Sequence, residues 1–297
     1  VVKSRYVLEV PESFNSPRER TAFQGNRVED WVISRKGTAM DVETATGYFY
    51  GVLLGDGHIN YTPLALADTR RGPMLMLKCC DLEMIEAWRD AIKVLIGFDY
   101  KISKHNSGIN SESHRQQYKL RVAQREFVDD VEMLTEHKTK IPLVVSEGSK
   151  KVQLAFIQGL MDAEAWINCF LSGGIGLNDM TLGFACCDSW FDEFYRMVQL
   201  HGIKVSKIYF RKPVLKKNGE PGKTIKIFRL DIPSYINAGL GFTIKRKAAR
   251  LAFCSRILND YTREYPRYED FYHMEPGWKS NQDRVEDIVW PATKVAD

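Results

Sequence analysis

The sequence has few of the features that mark an extracellular or membrane protein. Its 297 residues include only six cysteines, at positions 79, 80, 169, 186, 187 and 254, and none forms a C-x-x-C pair. That spacing excludes a small secreted disulfide framework and offers no Cys/His cluster with the ligand spacing of a zinc site. The thiols read instead as buried free cysteines, and the chain as intracellular. No apolar run approaches the roughly 20 residues of a membrane span. No signal peptide opens the chain, and Val1 in place of Met suggests a trimmed start. A strong excess of one charge is also missing. Lys and Arg number 42 against 38 Asp and Glu, a net charge of +4, and that average alone argues against a strongly basic nucleic-acid binder. What is present suits a globular chain: 44% hydrophobic and 27% charged residues, and a length that fits one large domain or two smaller halves.

The informative feature is an internal repeat. One segment, Gly-Tyr-Phe-Tyr-Gly-Val-Leu-Leu-Gly-Asp-Gly, begins at Gly47, and a second, Ala-Phe-Ile-Gln-Gly-Leu-Met-Asp-Ala-Glu-Ala, begins at Ala155. Setting Gly51 on Gly159 also sets Asp56 on Glu164, at an offset of 108. Cys79-Cys80-Asp81 then matches Cys186-Cys187-Asp188 at 107, Gly97 matches Gly202, and Tyr118–Val122 matches Phe228–Ile232. Loop insertions account for such drift.

Each half has one element order. In the first, the motif helix precedes strands at Gly57–Asp68 and Gly72–Cys80. A helix opened by Asp81 follows, with Leu82, Ile85, Trp88, Ile92 and Leu95 at helical spacing. Then come strands at Phe98–Lys104 and Arg115–Val122 and a helix near Glu126–Glu136. The second half gives a helix at Ser149–Ala163, strands at Trp166–Leu171 and Thr181–Cys187, and a helix at Ser189–His201. A hairpin at Ile203–Arg211 and Lys223–Ile232, turned through Lys217-Asn218-Gly219, leads to a short helix from Ser234. The expected fold is α+β, with two pseudo-symmetric αββαββα repeats at 44–148 and 149–250. Residues 1–43 form an N-terminal extension and 251–297 a C-terminal one.

In the second motif helix, Val152, Ala155, Phe156, Gly159, Leu160 and Ala163 share one face. It carries small residues four apart, Ala155, Gly159 and Ala163, matching Gly47, Gly51 and Gly55 of the first helix. Glycine inside a helix costs up to about 1 kcal/mol relative to Ala, so three in register imply compensation by a closely packed backbone. The natural partner is the same face of the other repeat, with Gly51, Gly55, Gly159 and Ala163 at the interface. That packing brings the C-terminal ends together, and with them Asp56 and Glu164. Two carboxylates at the negative ends of two helices repel unless a cation lies between them. Hard oxygen ligands with room for water suit Mg²⁺, which can activate water and stabilise a phosphoryl transition state.

At these residues the chain resembles the LAGLIDADG homing endonucleases in their single-chain, two-motif form. Phe49-Tyr50-Gly51-Val52-Leu53-Leu54-Gly55-Asp56-Gly57 is similar to the first motif, and Ile157-Gln158-Gly159-Leu160-Met161-Asp162-Ala163-Glu164-Ala165 to the second. Lys140-Ile141-Pro142 and Gly241-Phe242-Thr243-Ile244-Lys245-Arg246-Lys247 also resemble family segments. The resemblance spans about 44–250. It implies a saddle of antiparallel sheets over double-stranded DNA. It implies Mg²⁺-dependent hydrolysis of both strands of a long asymmetric site, with short 3′ overhangs. Asp56 and Glu164 are the implied catalytic and metal-binding carboxylates, aided by the carbonyls of Gly55 and Ala163, with two or three divalent ions shared between them. A basic residue near the scissile phosphate is also implied, and Lys78 is a candidate, although its counterpart is Ala185. The same scaffold serves RNA maturases and non-catalytic DNA-binding regulators, so intron RNA is a second implied partner. The chain lacks a leading Cys or Ser and a His-Asn end, so a free-standing, intron-encoded monomer fits better than an intein. One departure stands out: the second motif ends in Ala165 where the family usually has Gly. If that position needs a positive φ, Ala is strained and Glu164 displaced.

Divided by segment, the near-neutral charge becomes a pattern. Phe98–Arg125 carries six Lys or Arg, and Ile203–Leu230 carries nine. The matched hairpins therefore form the expected DNA face. Alternation in the first buries Phe98, Tyr100 and Ile102 and presents Lys101, Ser103 and His105. Lys119, Arg121, Lys207, Arg211, Lys226 and Arg229 complete the candidate contacts. Ile257–Asp297 has nine acids and five bases, with Tyr261, Tyr265, Tyr268, Phe271, Tyr272, Trp278 and Trp290, and reads as a tail packed on the body.

Overall fold

The computed structural model describes residues 40–60, 72–105, 116–171, 177–186, 189–211, 220 and 224–260; at 169–171, 177–179, 207, 209, 211 and 256–260 it describes backbone alone. The expected N-terminal extension before 40, the aromatic tail beyond 260, the turn at Lys217-Asn218-Gly219 and the far end of the strand expected at Gly57–Asp68 lie outside the described residues.

The first half contains α1 (Val42–Leu54), β1 (His58–Asn60), β2 (Met74–Cys79), α2 (Leu82–Ile96), β3 (Ser103–His105), β4 (Gln117–Val122), α3 (Arg125–Thr135) and the single turn α4 (Leu143–Ser146). The second contains α5 (Lys150–Glu164), β5 (Trp166–Leu171), β6 (Leu177–Cys186), α6 (Phe191–Leu200), β7 (Val205–Arg211), β8 (Ile225–Leu230), α7 (Ile232–Asn237) and α8 (Lys245–Asp260). Each half folds its strands into one antiparallel sheet, ordered β1-β2-β4-β3 and β5-β6-β8-β7. The same order in both halves is the repeat in three dimensions.

Alternation explains why each sheet has a covered face. Leu75, Leu77, Leu120 and Val122 point to one side and are wholly buried. Helix α2 covers them with Met84, Ile85, Trp88, Ala91 and Ile92. Trp88 anchors it to α1: its indole Nε1 donates to the Phe49 carbonyl at 3.1 Å, and its ring stacks on Phe49 at 5.7 Å. In the second half Phe184, Phe194 and Phe228 play the same part, with centroids 4.8–5.8 Å apart. Cys79 and Cys80 are half-buried, Cys186 and Cys254 buried, and none of the four is in a disulfide; burial pushes the Cys79 thiol up to about 12.

Several boundaries differ from the sequence expectation. Residues 98–102 are not strand. Phe98 is 55% exposed, its ring packs on Tyr100 at 4.6 Å, and Asp99 turns back to accept from Lys93 Nζ of α2 at 2.7 Å. The apolar alternation there belongs to a loop clamped onto a helix. Helix α7 begins at Ile232, because Asp231 caps it by accepting from Ser234 N at 2.9 Å. Helix α8 was not expected, and it runs across the boundary placed at 250.

Helices α1 and α5 share the largest interelement contact among the described residues, and they run parallel. At their N-terminal ends Ser149 Oγ donates to Glu43 Oε1 at 2.7 Å, and Lys151 Nζ pairs with Asp41 Oδ2 at 2.6 Å. At their C-terminal ends Gly55 meets Ala163. Between these contacts a Cβ on Gly47 would stand 2.1 Å from the Val152 carbonyl oxygen, one on Gly51 2.3 Å from that of Phe156, and one on Gly159 2.6 Å from that of Tyr48. At these three glycines backbone lies against backbone and leaves no room for a side chain.

Candidate active site and nucleic-acid face

The seam delivers the two motif carboxylates to one place. A Cβ on Gly55 would lie 2.5 Å from Ala163 Cβ and 3.3 Å from Glu164 Cγ. The four residues expected at the interface, Gly51, Gly55, Gly159 and Ala163, are thus brought together, and Asp56 and Glu164 follow on at the same end. Asp56 opens to the surface, yet desolvation raises its pKa. Lys247 and Lys138 oppose that rise, in that order, and Asp81 adds to it. The role of these two lysines is what the sequence reading missed, although Lys247 closes the segment Gly241–Lys247 noted there.

Each lysine holds the end of the motif helix in its own half. Lys138 Nζ donates to the carbonyls of Gly55 at 2.8 Å and Gly57 at 2.7 Å. Lys247 Nζ donates to the carbonyls of Met161, at 3.3 Å, and Asp162. Lys138 thus reaches the C-cap carbonyl of Gly55, and Lys247 the last-turn carbonyl of Asp162 beside that of Met161, which already accepts from Ala165 N; each places positive charge at the negative pole of its helix. The signal was present in the repeat: Lys138 lies 82 residues beyond Asp56 and Lys247 lies 83 beyond Glu164.

The two lysines arrive by different backbone paths. Lys247 stands in the first turn of α8. Lys138 ends three consecutive residues with left-handed backbone, Glu136, His137 and Lys138, at φ of 46°, 56° and 66°. Such a conformation costs a non-glycine residue roughly 1–2 kcal/mol, and strain of this kind gathers where a side chain must be aimed. Glu136→Gly is therefore expected to raise stability by about 1 kcal/mol, read from the denaturant midpoint. An unchanged or lower midpoint would show that the turn is not strained.

Lys247 is 5% exposed, and burial lowers its pKa to about 8 against the Asp162 charge, which pulls it up. The unfolded chain keeps this proton up to about 10.5. Between those values the unfolded state binds more protons, so stability contributed by this group rises with pH from about 8 to about 10.5. Unfolding curves across that range, set against Lys247→Met, should show the native protein gaining by about 3 kcal/mol.

The second half holds a buried polar group without a counterpart. Asp162 is 1% exposed, and its carboxylate accepts from Tyr48 Oη of the first half at 3.0 Å and from Thr243 N at 2.9 Å. Burial raises its pKa, against Lys247, Thr243 and Tyr48. The strain feared at Ala165 is absent: its φ is −80° and ψ 152°, an extended conformation open to any residue. Glu164 is therefore not displaced by the loss of glycine there.

Beside these helix ends lie the uncovered sheet faces. On the first sheet Lys78 pairs with Lys119 and Met76 with Arg121 across β2 and β4, while Ser103 and His105 stand opposite Lys119 and Gln117 on β3. Lys78, Lys119, Arg121, Ser103 and His105 therefore share one face. Partial desolvation lowers the His105 pKa, and Lys78, Lys119 and Arg121 add to the effect. Lys78 belongs to this surface, and Lys138 and Lys247 hold the helix ends. Lys101 does not join the face, because it precedes the strand and lines a shallow groove with Glu86, Arg89 and Asp99.

On the second sheet Arg229 stands in register with Gly183 and Lys207, and Arg211 with Ile225. The side chains of Lys207 and Arg211 lie outside the described residues. Lys226 differs from Arg229 by an odd number of residues and so faces the other way, with Phe228. Its ammonium pairs with Asp192 of α6 at 3.0 and 3.1 Å and sits 5.1 Å from the Phe191 ring centroid.

Among the described residues no group of three or more His, Cys, Asp or Glu could hold a metal, and no helix is long and apolar enough to cross a membrane. A divalent ion at the helix ends would rely on Asp56, Glu164, backbone carbonyls, water and substrate oxygens. This mixed, open oxygen set is the kind that Mg²⁺ accepts. The Gly55 carbonyl already takes one hydrogen bond from Lys138, which leaves it a second lone pair.

No protein-family model matches the sequence, and no curated protein matches it. Solved structures similar to the chain are LAGLIDADG proteins, chiefly homing endonucleases. I-DmoI in complex with DNA and Mn is 16% identical, covers 66% of this chain and 94% of its own, and gives a TM-score of 0.45. The homing endonuclease I-WcaI bound to its DNA recognition sequence is 11% identical over 74% of this chain and 91% of its own, with a TM-score of 0.43. The N-terminal LAGLIDADG domain of DUF199/WhiA is 12% identical over 71% of this chain and 85% of its own, with a TM-score of 0.43.

Proposed function

We propose that the chain is a site-specific DNA endonuclease that hydrolyses both strands of a long, asymmetric duplex site with a divalent metal, Mg²⁺ or Mn²⁺, leaving short 3′ overhangs. One observation carries the reading. Two parallel helices, packed backbone to backbone at their glycines, end in Asp56 and Glu164 beside two lysine-bound helix termini, between sheets whose uncovered faces include basic residues. A bound divalent ion supplies activation of water and stabilisation of charge on the phosphate. The carboxylates orient and hold that charge. Lys138 and Lys247 fix the helix ends that carry them and keep positive charge beside the developing phosphate anion. Lys78, Lys119 and Arg121 contact phosphates and base edges from the first sheet, with Arg229 from the second. Divergence between the sheets makes the site asymmetric.

The test is cleavage of a randomised duplex pool by the purified full chain with Mg²⁺ or Mn²⁺, followed by sequencing of the cut ends. Paired breaks at one recurrent sequence are expected. Binding of a recurrent sequence without any break under either metal would leave a DNA-binding regulator. Binding of structured intron RNA in preference to every duplex would leave a maturase.

A further inference from the structure

We propose that Arg246 is a positioning residue for this reaction: its paired bonds to Asp81, across the seam, hold Lys247 at the end of the second motif helix. This rests on the endonuclease reading above. The contact is a fork on a fork. Arg246 Nε donates to Asp81 Oδ1 at 2.8 Å and a terminal nitrogen donates to Oδ2 at 2.7 Å. That planar geometry fixes orientation as well as charge. The pair joins the halves, since Asp81 precedes α2 of the first and Arg246 stands in α8 of the second. Both side chains are largely withdrawn from water, at 32% and 17% exposure.

Asp81 gives up an ordinary role for this contact. It occupies the N-cap of α2, yet its carboxylate makes no capping bond to that helix. An Asp in that position normally accepts from the first-turn amides, a bond worth about 1 kcal/mol. Here both oxygens turn to the guanidinium instead. The choice acts on the site through the backbone. Arg246 precedes Lys247 in the first turn of α8, so anchoring the first fixes the backbone that delivers the second.

The first half contains the mirror arrangement. The backbone that delivers Lys138 is docked on the second half, where Trp190 Nε1 donates to the Lys138 carbonyl at 3.1 Å and Ser189 Oγ donates to that of Thr139. Each lysine thus serves the motif helix of its own half while its backbone is held by the other. A slip between halves would misplace both ammonium groups.

The test uses the full chain and a target selected by cleavage with the unaltered protein. Arg246→Gln should slow single-turnover cleavage at saturating protein by on the order of a hundredfold, as expected for misplacement of about 1 Å. DNA affinity should stay unchanged. Asp81→Asn should cause the same loss, and the double variant no further loss, because the two act as one unit. Arg246→Lys, which keeps the charge and loses the fork, should stay slow.

Cleavage by Arg246→Gln at the native rate overturns the proposal, as do additive losses or rescue by Arg246→Lys. A parallel fall in affinity and melting temperature in all variants also overturns it, by showing a purely structural tie. If the unaltered protein never cuts, the endonuclease reading fails first. If it cuts and the variants cut equally well, only the role of Arg246 fails.

Discussion

Asp56→Asn and Glu164→Gln should each reduce double-strand cleavage by roughly a thousandfold, while metal-free DNA binding and the fold persist. The carboxylates follow the seam and do not form it, so removing a charge leaves the packing of α1 and α5 intact. For Asp56 the expected effect on stability has a sign. Its folded pKa is raised by desolvation, so the charged form is disfavoured by folding. The contribution of a raised carboxyl is present below its unfolded pKa and is lost as pH rises through the folded one. At neutral pH Asp56→Asn should therefore melt at or above the native temperature while losing activity. Plasmid linearisation and thermal melting on one preparation check both. A variant that melts lower and still cuts would remove Asp56 from the active centre.

Gly51→Val should be the most damaging single change to the fold, costing about 3 kcal/mol or more. The added Cβ would meet Phe156 O at 2.3 Å and Leu160 N at 2.8 Å. Both belong to a helix backbone and cannot rotate away. Gly97→Ala is the control: at φ 72° with nothing within 4 Å, it meets strain but no collision, and about 1 kcal/mol is expected. Denaturant midpoints for the two variants separate steric from conformational cost. Equal losses would mean that the helices slide apart to admit the side chain.

The seam was legible in the sequence because its cause is local and periodic. Small residues every four positions on two matched helices have one economical explanation, and it places Asp56 beside Glu164. The sheet faces were legible by alternation only where a strand is regular. Phe98, Tyr100 and Ile102 imitate a strand, but ring packing and the Lys93–Asp99 pair make that stretch a loop. Lys226 fails for parity, since Asp192 claims it on the helix side of its sheet. The roles of Lys138 and Lys247 were not found because no local pattern distinguishes a lysine in a turn from one in water. Their partners lie 81 to 86 residues away, and only the repeat offset connects them.

The bond between Tyr48 and Asp162 breaks the symmetry of two halves that repeat one strand order. At the repeat offset Tyr48 corresponds to Phe156 and Asp162 to Leu54. Two copies of the second half would set the buried Asp162 against a phenylalanine, with no hydroxyl to meet it. Two copies of the first would leave the Tyr48 hydroxyl facing a leucine. Neither half can form a symmetric pairing without stranding a buried polar group, a penalty of about 1–3 kcal/mol at each of two sites. The seam is therefore specific for its two unlike halves, and one buried bond makes each half the required partner of the other.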